Sequence, residues 1–243
     1  MNISVVIPAY NEANRIGKTL NRLIQTLPRA EILVIFDGND STPHVVRNFP
    51  VKFYQSRERL GKGGALKKGI YESNFQKVLL LDADFPVTEK DLELLLNTDA
   101  DLVVPKRKII GMPFKRRFLH NAFILLTKMF FPSLASFSDF QSGVKIINRE
   151  KALRVANELI INDLLFDVNL IYAFKRHKYS IKEIEISYIH DESDSKISKK
   201  LLKVILLMFF SLIKLRVYYS PFRKILYTKT YLKLQDYILR KLR

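Results

Sequence analysis

Two aspartates separated by one residue are the first feature of this sequence that could do chemistry. Asp82 and Asp84 follow four apolar residues, 78–81, which predict an interior strand. Two carboxylates at a strand end can share a divalent cation, which neutralises charge on the oxygens of a bound diphosphate. The same spacing also occurs in solvated turns. Its position at the end of a buried strand favours the metal-binding interpretation.

Two other polar segments could bind parts of a nucleotide. Asp37 ends the apolar run 31–36, and its carboxylate can accept a hydrogen bond from a nucleobase N–H or a ribose hydroxyl. Asp37 followed by Gly38 is also a strong turn signal. Residues 61–65, which include Lys62, open a predicted helix and could present backbone amides and an ammonium group to phosphate. They lack the order of a Walker P-loop.

The elements that must position these residues alternate between strand and helix. Strands are predicted at 2–8, 31–36, 51–55, 77–82, 102–105, 143–147 and 180–188, and helices at 13–26, 63–74, from 91, 150–158 and 166–175. Either Asn11 or Asn14 is the predicted N-cap of the first helix. This order indicates an α/β fold with a mostly parallel sheet flanked by helices. Such sheets bind ligands at the carboxyl ends of their strands, where the polar segments lie.

Composition restricts the class of protein and its partners. With 243 residues, 48% hydrophobic and 27% charged, the chain is folded, and its lack of cysteine excludes disulfides and thiolate metal sites. The N-terminus shows no secretory signal, so we expect a cytoplasmic protein. Residues 199–243 carry twelve Lys or Arg against one acid, Asp236, which is +11 of the net charge of +17. An anionic partner, either nucleic acid or lipid headgroups, is indicated.

Two basic, apolar segments favour lipid. In 199–217 the longest uncharged run, 204–213, is about half of the ~20 residues that span a bilayer, and lysines with Ser211 form a narrow polar stripe. Segment 116–131 has a polar face that includes Arg117 and Thr127. Such helices either lie in a membrane interface or pack on a core with solvated lysines. Their many large aliphatic residues favour a membrane surface over nucleic acid.

Seven short segments, in this order, resemble the family 2 glycosyltransferases. They are residues 5–12, 37–38, 61–65, 82–84, 139–145, 166–168 and 184–190 with 195–196. The last resembles the polyprenyl-phosphate branch of the family, which includes dolichyl-phosphate glucosyltransferase and mannose synthase. The resemblance covers about residues 3–198. It implies a GT-A (Rossmann-like) glycosyltransferase domain at 1–198, followed by a basic amphipathic extension at 199–243 on the membrane surface.

The resemblance also implies the ligands and the site residues. The donor would be a nucleotide sugar, held with Mg²⁺ or Mn²⁺. The implied residues are Pro8, Tyr10, Glu12 and Asp37 at the nucleotide, Lys62 at phosphate, Asp82 and Asp84 at the metal, with Asp84 the direct ligand, Asp139, Gln141 and Ser142 at the sugar and acceptor, and Arg107, Arg117, His190 and Lys196 at phosphates. Asp84, Asp139 and Gln141 would be the catalytic residues.

Two departures from the family pattern concern the donor. Phe36 stands where the family usually has the first of two acids, which leaves the nucleobase open. Pro86 stands where mannose synthases tend to have glutamine, which with residues 166–168 favours UDP-glucose over GDP-mannose. The implied reaction is inverting transfer of a hexose to a polyprenyl (dolichyl) phosphate by a peripheral enzyme at the cytoplasmic face of a membrane.

Several alternatives stay open from the sequence. The acceptor could be soluble or protein-linked, or the chain could be a non-catalytic basic binding module on a transferase fold. A separate membrane-anchoring subunit and a homo-oligomer are further open partners, whereas nucleic acid is not expected.

Overall fold

The described part of the protein forms two compact units. The structure, a computed structural model, describes residues 2–110, 114–189 and 201–242. The first unit contains the described residues of 1–110 and 136–188, and the second contains those of 111–135 and 189–243. The sequence-based division placed a single boundary at residue 198. The structure instead groups residues 114–135 with the C-terminal segment, so both basic, apolar helices belong to the second unit.

The first unit is built on a seven-stranded sheet. Its strands are β1 (Ile3–Ala9), β2 (Glu31–Phe36), β3 (Lys52–Gln55), β4 (Lys77–Leu81), β5 (Leu102–Ile110), β6 (Val144–Asn148) and β7 (Ile181–Ile189). They lie in the order β3-β2-β1-β4-β6-β5-β7. Strands β1 to β4 are parallel, and β6 is antiparallel to both β4 and β5. The mostly parallel α/β sheet expected from the sequence is confirmed.

Helices follow most strands, as the alternating pattern predicted. They are α1 (Ile16–Thr26), α2 (Thr42–Val46), α3 (Gly61–Glu72), α4 (Glu89–Asn97), α5 (Phe114–Phe130), α6 (Arg149–Arg154), α7 (Phe166–Arg176), α8 (Leu201–Tyr218) and α9 (Lys229–Leu242). Short 3₁₀ turns lie at Pro132–Leu134, Ala156–Glu158 and Pro221–Tyr227. Helix α1 buries Ile16, Leu20 and Leu23, which share one face because a helix turns every 3.6 residues.

The predicted N-cap of α1 was wrong. Arg15 occupies the cap position and makes no side-chain cap hydrogen bond. The side chain of Asn11 instead accepts the backbone N–H of Asn39 at 2.9 Å, in the loop after β2. Asn11 has a φ of 55°, a left-handed conformation that asparagine tolerates better than most residues. The Asn11 side chain therefore bonds to a distant loop and does not form the helix cap that the local sequence had predicted.

The helices of the second unit bury polar residues that we expected on their solvent faces. Thr127 of α5 is fully buried, and its hydroxyl donates to the carbonyl of Phe123 at 2.9 Å. Ser211 of α8 is also buried, beside Leu212 and Leu215. A hydroxyl group can be buried when it donates a hydrogen bond to a carbonyl of its own helix, as Thr127 does. The predicted polar stripes were therefore wrong at Thr127 and Ser211.

Apolar side chains are exposed on these same helices. Phe118, Leu125 and Met129 of α5 are 62–69% exposed, and α8 exposes Leu206, Phe209, Phe210 and Ile213 at 36–41%. The α5 residues are seven and four positions apart, and the α8 residues pair at spacings of three and four, so each set lies on one helix face. The faces turned to solvent are thus richer in large apolar residues than the lysine stripes had suggested.

Close packing of α3 on β1 gives a test of the fold. A Cβ atom built on Gly69 would lie 2.1 Å from Cγ1 of Val6, in the middle of the sheet. Gly69→Ala should therefore lower the free energy of unfolding by about 1–3 kcal/mol, because a fully buried strand cannot yield without strain. Urea denaturation followed by circular dichroism measures the change.

Gly64→Ala on the same helix is the matched control. Its Cβ would lie 3.2 Å from Cβ of Leu60, which a small shift relieves, and both substitutions gain the same helix propensity. A stability for Gly69→Ala equal to that of Gly64→Ala would contradict the packing described here.

Candidate active site

The turn after β4 presents the aspartate pair on either side of a buried residue. Ala83 is buried, the side chain of Asp82 is 35% exposed, and Asp84 is exposed. The turn closes where the N–H of Phe85 donates to the carbonyl of Asp82 at 3.2 Å. Phe85 takes a left-handed φ of 46°, which is strained for an aromatic residue. The surrounding structure must hold this conformation.

Helix α1 supplies the contacts that hold the turn. The hydroxyl of Thr19 donates to the carbonyl of Ala83 at 2.6 Å. The guanidinium carbon of Arg22 lies 4.0 Å from the ring centroid of Phe85, and its Nη2 donates to the carbonyl of Val87 at 3.1 Å. A backbone held on both sides of Asp84 keeps that carboxylate in one place.

The electrostatics of the turn suit a cation. The pKa of Asp84 is raised, first by the loss of hydration among neighbouring protein atoms and then by the like charge of Asp82. The two carboxylates therefore repel each other at the solvent-exposed end of the turn. A divalent cation beside both carboxylates would remove that repulsion.

A cluster of four charged side chains lies next to the turn. The ammonium group of Lys62, in the first turn of α3, is 3.0 Å from Oδ1 of Asp82 and 3.3 Å from Oδ2 of Asp167 on α7. Lys145 on β6 is 2.8 Å from Oδ1 of Asp167 and donates to the carbonyl of Ser142 at 2.8 Å. Lys145 is 1% exposed and Asp167 is 4% exposed. Charges this deeply buried are stable only when they are paired.

The sharing of partners in this cluster explains its pKa shifts. Burial acts against each charge, but two lysines surround Asp167 and lower the pKa of its carboxyl. The pKa of Lys62 is raised, because the carboxylates of Asp167 and Asp82 outweigh its burial. The pKa of Lys145 is lowered, because burial outweighs the attraction of an Asp167 that it shares with Lys62.

Asp37, the predicted nucleotide-binding carboxylate, is itself held by two donors. Its Oδ1 accepts from Nη1 of Arg59 at 2.6 Å, and its Oδ2 accepts the backbone N–H of Gly61 at 2.7 Å. Gly61 has a φ of 72°, a conformation that glycine adopts without strain. The guanidinium carbon of Arg59 lies 3.2 Å from the ring centroid of Tyr10. Arg59 therefore stacks on Tyr10 and pairs with Asp37, which connects the ends of β1 and β2.

The loop after β1 contains the other predicted nucleotide residues. Pro8 lies in β1 opposite Ile35 of β2. The carboxylate of Glu12 pairs with Arg15, and its backbone N–H donates to the hydroxyl of Thr42 at 2.8 Å. These contacts tie the loop after β1 to the loop after β2, as parallel strands require when both loops leave the same sheet edge.

Asp139 forms a second carboxylate centre. Arg107 of β5 donates to it from Nε at 2.5 Å and from Nη2 at 3.0 Å, which makes a bidentate pair. The backbone N–H of Gln141 donates to Oδ1 of Asp139 at 2.9 Å. Glu183 of β7 accepts from the N–H groups of Ser138 and Asp139 at 2.7 and 3.2 Å. The loop that carries Asp139 and Gln141 is thus anchored to β5 and β7.

The two carboxylate centres are joined through the 138–143 loop. The N–H of Asp82 donates to the carbonyl of Gly143 at 2.7 Å, and Ser142 is buried. A Cβ on Gly143 would lie 2.6 Å from Oδ2 of Asp82, so a side chain at this position would displace the Asp82 carboxylate. The site therefore brings together the predicted residues of the first unit, from β1 to β6.

Three predicted phosphate ligands are not placed in this assembly. Arg117 lies on α5 in the second unit, where it is exposed. His190 and Lys196 lie outside the described residues. Their assignment stays a prediction.

Sequence reasoning missed four residues that hold the site. Arg59 and Glu183 lie in polar or alternating segments that carry no distinctive signal. Lys145 and Asp167 belonged to quoted segments but received no role. A signal was present for both, because each is a charged residue within an otherwise apolar run.

The residues present fit a magnesium-like ion bound jointly with a phosphorylated ligand. Within the ranges that the structure describes, no three or more His, Cys, Asp or Glu side chains are grouped to hold a metal. Mg²⁺ commonly uses one or two carboxylates and takes its other ligands from phosphate and water. The carboxylates of Asp82 and Asp84, on one turn and partly open to solvent, provide such a donor set.

This fold and site define the class of protein. A mostly parallel sheet, an aspartate pair at a central strand end and a lysine paired with it are features of an enzyme that transfers a group from a phosphorylated donor.

Comparison with known proteins identifies the family. Residues 4–156 match Glycosyl transferase family 2, and the chain belongs to this family. The resemblance inferred from the motifs is confirmed, as is the prediction that the protein is a glycosyltransferase.

Relatives are similar over most of the chain. The mouse protein named dolichyl-phosphate beta-glucosyltransferase is 28% identical, over 78% of this chain and 68% of its own length. The Dictyostelium discoideum protein of the same name is 30% identical, over 76% of this chain and 66% of its own.

Solved structures support the fold. Glucosyl-3-phosphoglycerate synthase from Mycobacterium tuberculosis, crystallised with Mn²⁺, UDP-glucose and phosphoglyceric acid, has a TM-score of 0.69. The match covers 88% of this chain and 79% of the synthase at 18% identity. The expected GT-A fold is confirmed.

The buried charge cluster predicts how stability depends on pH. Since the folded pKa of Asp167 is lowered, its contribution is fully present above its ordinary pKa of about 3.9 and is lost as the pH falls through the folded value. Asp167→Asn should lower the free energy of unfolding by about 3–5 kcal/mol at pH 7, because it leaves buried lysine charge uncompensated. The difference from the wild type should shrink below about pH 4.

Urea unfolding at pH 7, 5, 4 and 3 measures this difference. Glu150→Gln, which breaks the exposed pair with Arg154, is the control and should change stability by about 1 kcal/mol or less. A difference for Asp167→Asn that stays constant down to pH 3 would show that the pKa of this carboxyl is the same in the folded and unfolded protein, which would contradict the charge pairing described here.

Proposed function

We propose that this protein transfers a hexose, with inversion, from a nucleotide sugar to a polyprenyl phosphate at a membrane surface. The name of its relatives, dolichyl-phosphate beta-glucosyltransferase, supports the lipid phosphate acceptor and a glucose donor. The UDP and UDP-glucose bound in the structurally similar synthase support a uridine nucleotide over GDP-mannose. The observation that carries the proposal is the Asp82–Asp84 turn beside Lys62 in a family 2 chain.

The donor would occupy the ends of β1, β2 and β4. Asp84, with Asp82, would hold Mg²⁺ or Mn²⁺, which when bound supplies positive charge to the departing nucleoside diphosphate. Lys62 keeps Asp82 in position through its 3.0 Å ion pair. At the other end of the donor, the ring of Tyr10 and the guanidinium of Arg59, fixed by Asp37, form a flat surface for the nucleobase.

The acceptor needs little activation. A phosphate monoester has a second pKa of about 6, so it is largely a dianion at neutral pH. One of its oxygens attacks the anomeric carbon opposite the diphosphate, a new C–O bond forms as the old one breaks, and the configuration inverts. Both oxygens of Asp139 already accept hydrogen bonds from Arg107. Asp139 therefore holds the loop that carries Gln141 in place rather than contacting substrate, and catalysis rests on positioning and charge.

The second unit would bring the enzyme to the lipid. Its 3₁₀ turn at Pro221–Tyr227 exposes Phe222, Ile225 and Tyr227 at 50–67%. Helix α9 exposes Leu232, Leu234 and Tyr237 at 50–59%. The C-terminal 45 residues also carry a charge of +11. Exposed apolar residues among lysines and arginines suit an anionic membrane surface. None of the described helices is both long and apolar enough to cross a membrane. We place the protein peripherally, at the cytoplasmic face.

A donor panel tests the reaction. Purified protein is incubated with Mg²⁺ or Mn²⁺, a polyprenyl phosphate and labelled UDP-glucose, UDP-GlcNAc or GDP-mannose, and the lipid product is extracted into organic solvent. UDP-glucose should give the largest product. Asp84→Asn should lower kcat by at least about 100-fold, because it weakens the charge stabilisation of the leaving group.

Asp99→Asn makes the same chemical change at an exposed site and should retain full activity. Transfer to a soluble phosphate ester such as phosphoglyceric acid, with none to the lipid, would show that the acceptor is soluble and that the proposed lipid acceptor is wrong. Full activity of Asp84→Asn, or no transfer from any donor, would overturn the proposal.

Vesicle sedimentation tests the membrane contact. The wild type should sediment with anionic vesicles and be released by salt, because lysine and arginine contribute to binding. Phe222→Ser should weaken partitioning by about tenfold or more, since burying a phenylalanine side chain contributes about 1.5–3 kcal/mol.

Two tyrosines form a matched pair for this assay. Tyr227 of the 3₁₀ turn is 61% exposed, and Tyr71 of the first unit is 71% exposed. Tyr227→Ser should reduce sedimentation, whereas Tyr71→Ser should not. Equal effects of the two substitutions, or recovery of the wild type in the supernatant at low salt, would contradict this surface.

A further inference from the structure

We propose that Asp167 is a positioning residue. It holds in place both the turn after β4 that carries Asp82 and Asp84, here called the aspartate turn, and the 138–143 loop. The inference rests on the proposed function, because it explains how the two halves of that site are held together. Neither the family match nor the sequence motifs gave Asp167 a role.

The location of Asp167 excludes a direct contact with substrate. Its side chain is 6% exposed, and both carboxylate oxygens are engaged, Oδ1 with Lys145 at 2.8 Å and Oδ2 with Lys62 at 3.3 Å. Helix α7 begins at Phe166, so the carboxylate also lies in the first turn of a helix, where negative charge is favoured. The residue acts through its two lysines.

The first lysine leads to the aspartate turn. Lys62 places its ammonium group between Asp167 and Asp82, 3.0 Å from Oδ1 of Asp82. Its neighbour Gly63 fixes this end of α3, since its N–H donates to the carbonyl of Asn162 at 3.1 Å. A Cβ on Gly63 would lie 2.4 Å from the carbonyl oxygen of Ile161. Because Lys62 is shared with Asp167, its ion pair with Asp82 is weaker than an exclusive pair would be. The Asp82 carboxylate can therefore still bind a cation.

The second lysine leads to the 138–143 loop. Lys145 donates to the carbonyl of Ser142 at 2.8 Å, and the next carbonyl, that of Gly143, accepts the N–H of Asp82 at 2.7 Å. The contacts therefore close a ring that runs from Asp167 through Lys62, Asp82, the loop and Lys145 back to Asp167. Such a closed ring is rigid where it is buried, at Asp167 and Lys145, because neither residue can move there without leaving the other unpaired.

The test separates positioning from stability. Asp167→Asn should weaken Mn²⁺-dependent binding of UDP, measured by calorimetry without acceptor, by about 10–100-fold, as is typical when a partner of a metal ligand is removed. In the metal-free protein it should also speed hydrogen exchange at the amide of Asp82. Asp99→Asn, an exposed aspartate with the same change, should alter neither.

If Asp167→Asn unfolds, a double variant can still test the inference. Asp167→Asn with Lys145→Met removes one charge of each sign and leaves Lys62 paired with Asp82, and methionine fills the buried space of the lysine. This variant should be folded and regain most of the lost stability, yet bind UDP with Mn²⁺ as weakly as the single variant.

Affinity that recovers together with stability would overturn the inference, and so would wild-type affinity in Asp167→Asn or failure of the double variant to fold. In each of these cases the wild type still binds UDP with Mn²⁺, and the proposed function stands. A wild type that binds no UDP in the presence of Mn²⁺ would overturn both.

Discussion

The site depends on one constraint, which is that a carboxylate buried from water must have its charge matched by neighbours. Asp167 is 4% exposed and has two lysines within 3.3 Å. Each lysine then needs its own further acceptor, which Asp82 and the carbonyl of Ser142 provide. Among the described residues, every buried side-chain nitrogen and oxygen has a hydrogen-bond partner. Desolvation therefore determines the positions of groups that the proposed reaction would use.

The parallel sheet explains why these groups meet. Strands β1, β2 and β4 run in the same direction, so their carboxyl ends lie at one edge and bring Glu12, Asp37 and Asp82 into neighbouring loops. The antiparallel strand β6 starts at that same edge, because it pairs with β4 in the opposite direction. The loop before β6, which carries Asp139 and Gln141, is thereby delivered to the aspartate turn. A single antiparallel strand thus completes the site.

In the helices of the second unit, the buried residues are not always the apolar ones. In α5 and α8 a hydroxyl residue faces inward and large apolar residues face solvent. Such an arrangement is costly in water, since exposed apolar area is hydrated unfavourably. A lipid surface would remove that cost, and the basic residues around it would bind anionic headgroups. The apolar exposure and the charge of this unit therefore have one common explanation in the proposed function.

The sequence by itself determined the positions of the seven strands, most of the helices and the family, whereas α2 and α9 were not predicted. Continuous apolar runs before Asp37 and Asp82 were sufficient for β2 and β4, because burial on both sheet faces leaves a pattern in a few adjacent residues. The aspartate pair and its place at a strand end followed from the same local pattern.

Only the tertiary structure decided which groups pair. Lys62 and Asp167 are 105 residues apart, and Asp37 and Arg59 are 22 apart, so no local pattern relates them. Asn11 bonds to Asn39, 28 residues away, instead of capping α1. Ser211 and Thr127 are buried although both are polar. Periodicity reports whether a residue is buried, whereas its partner is set by packing between distant segments and by the need to compensate each buried charge.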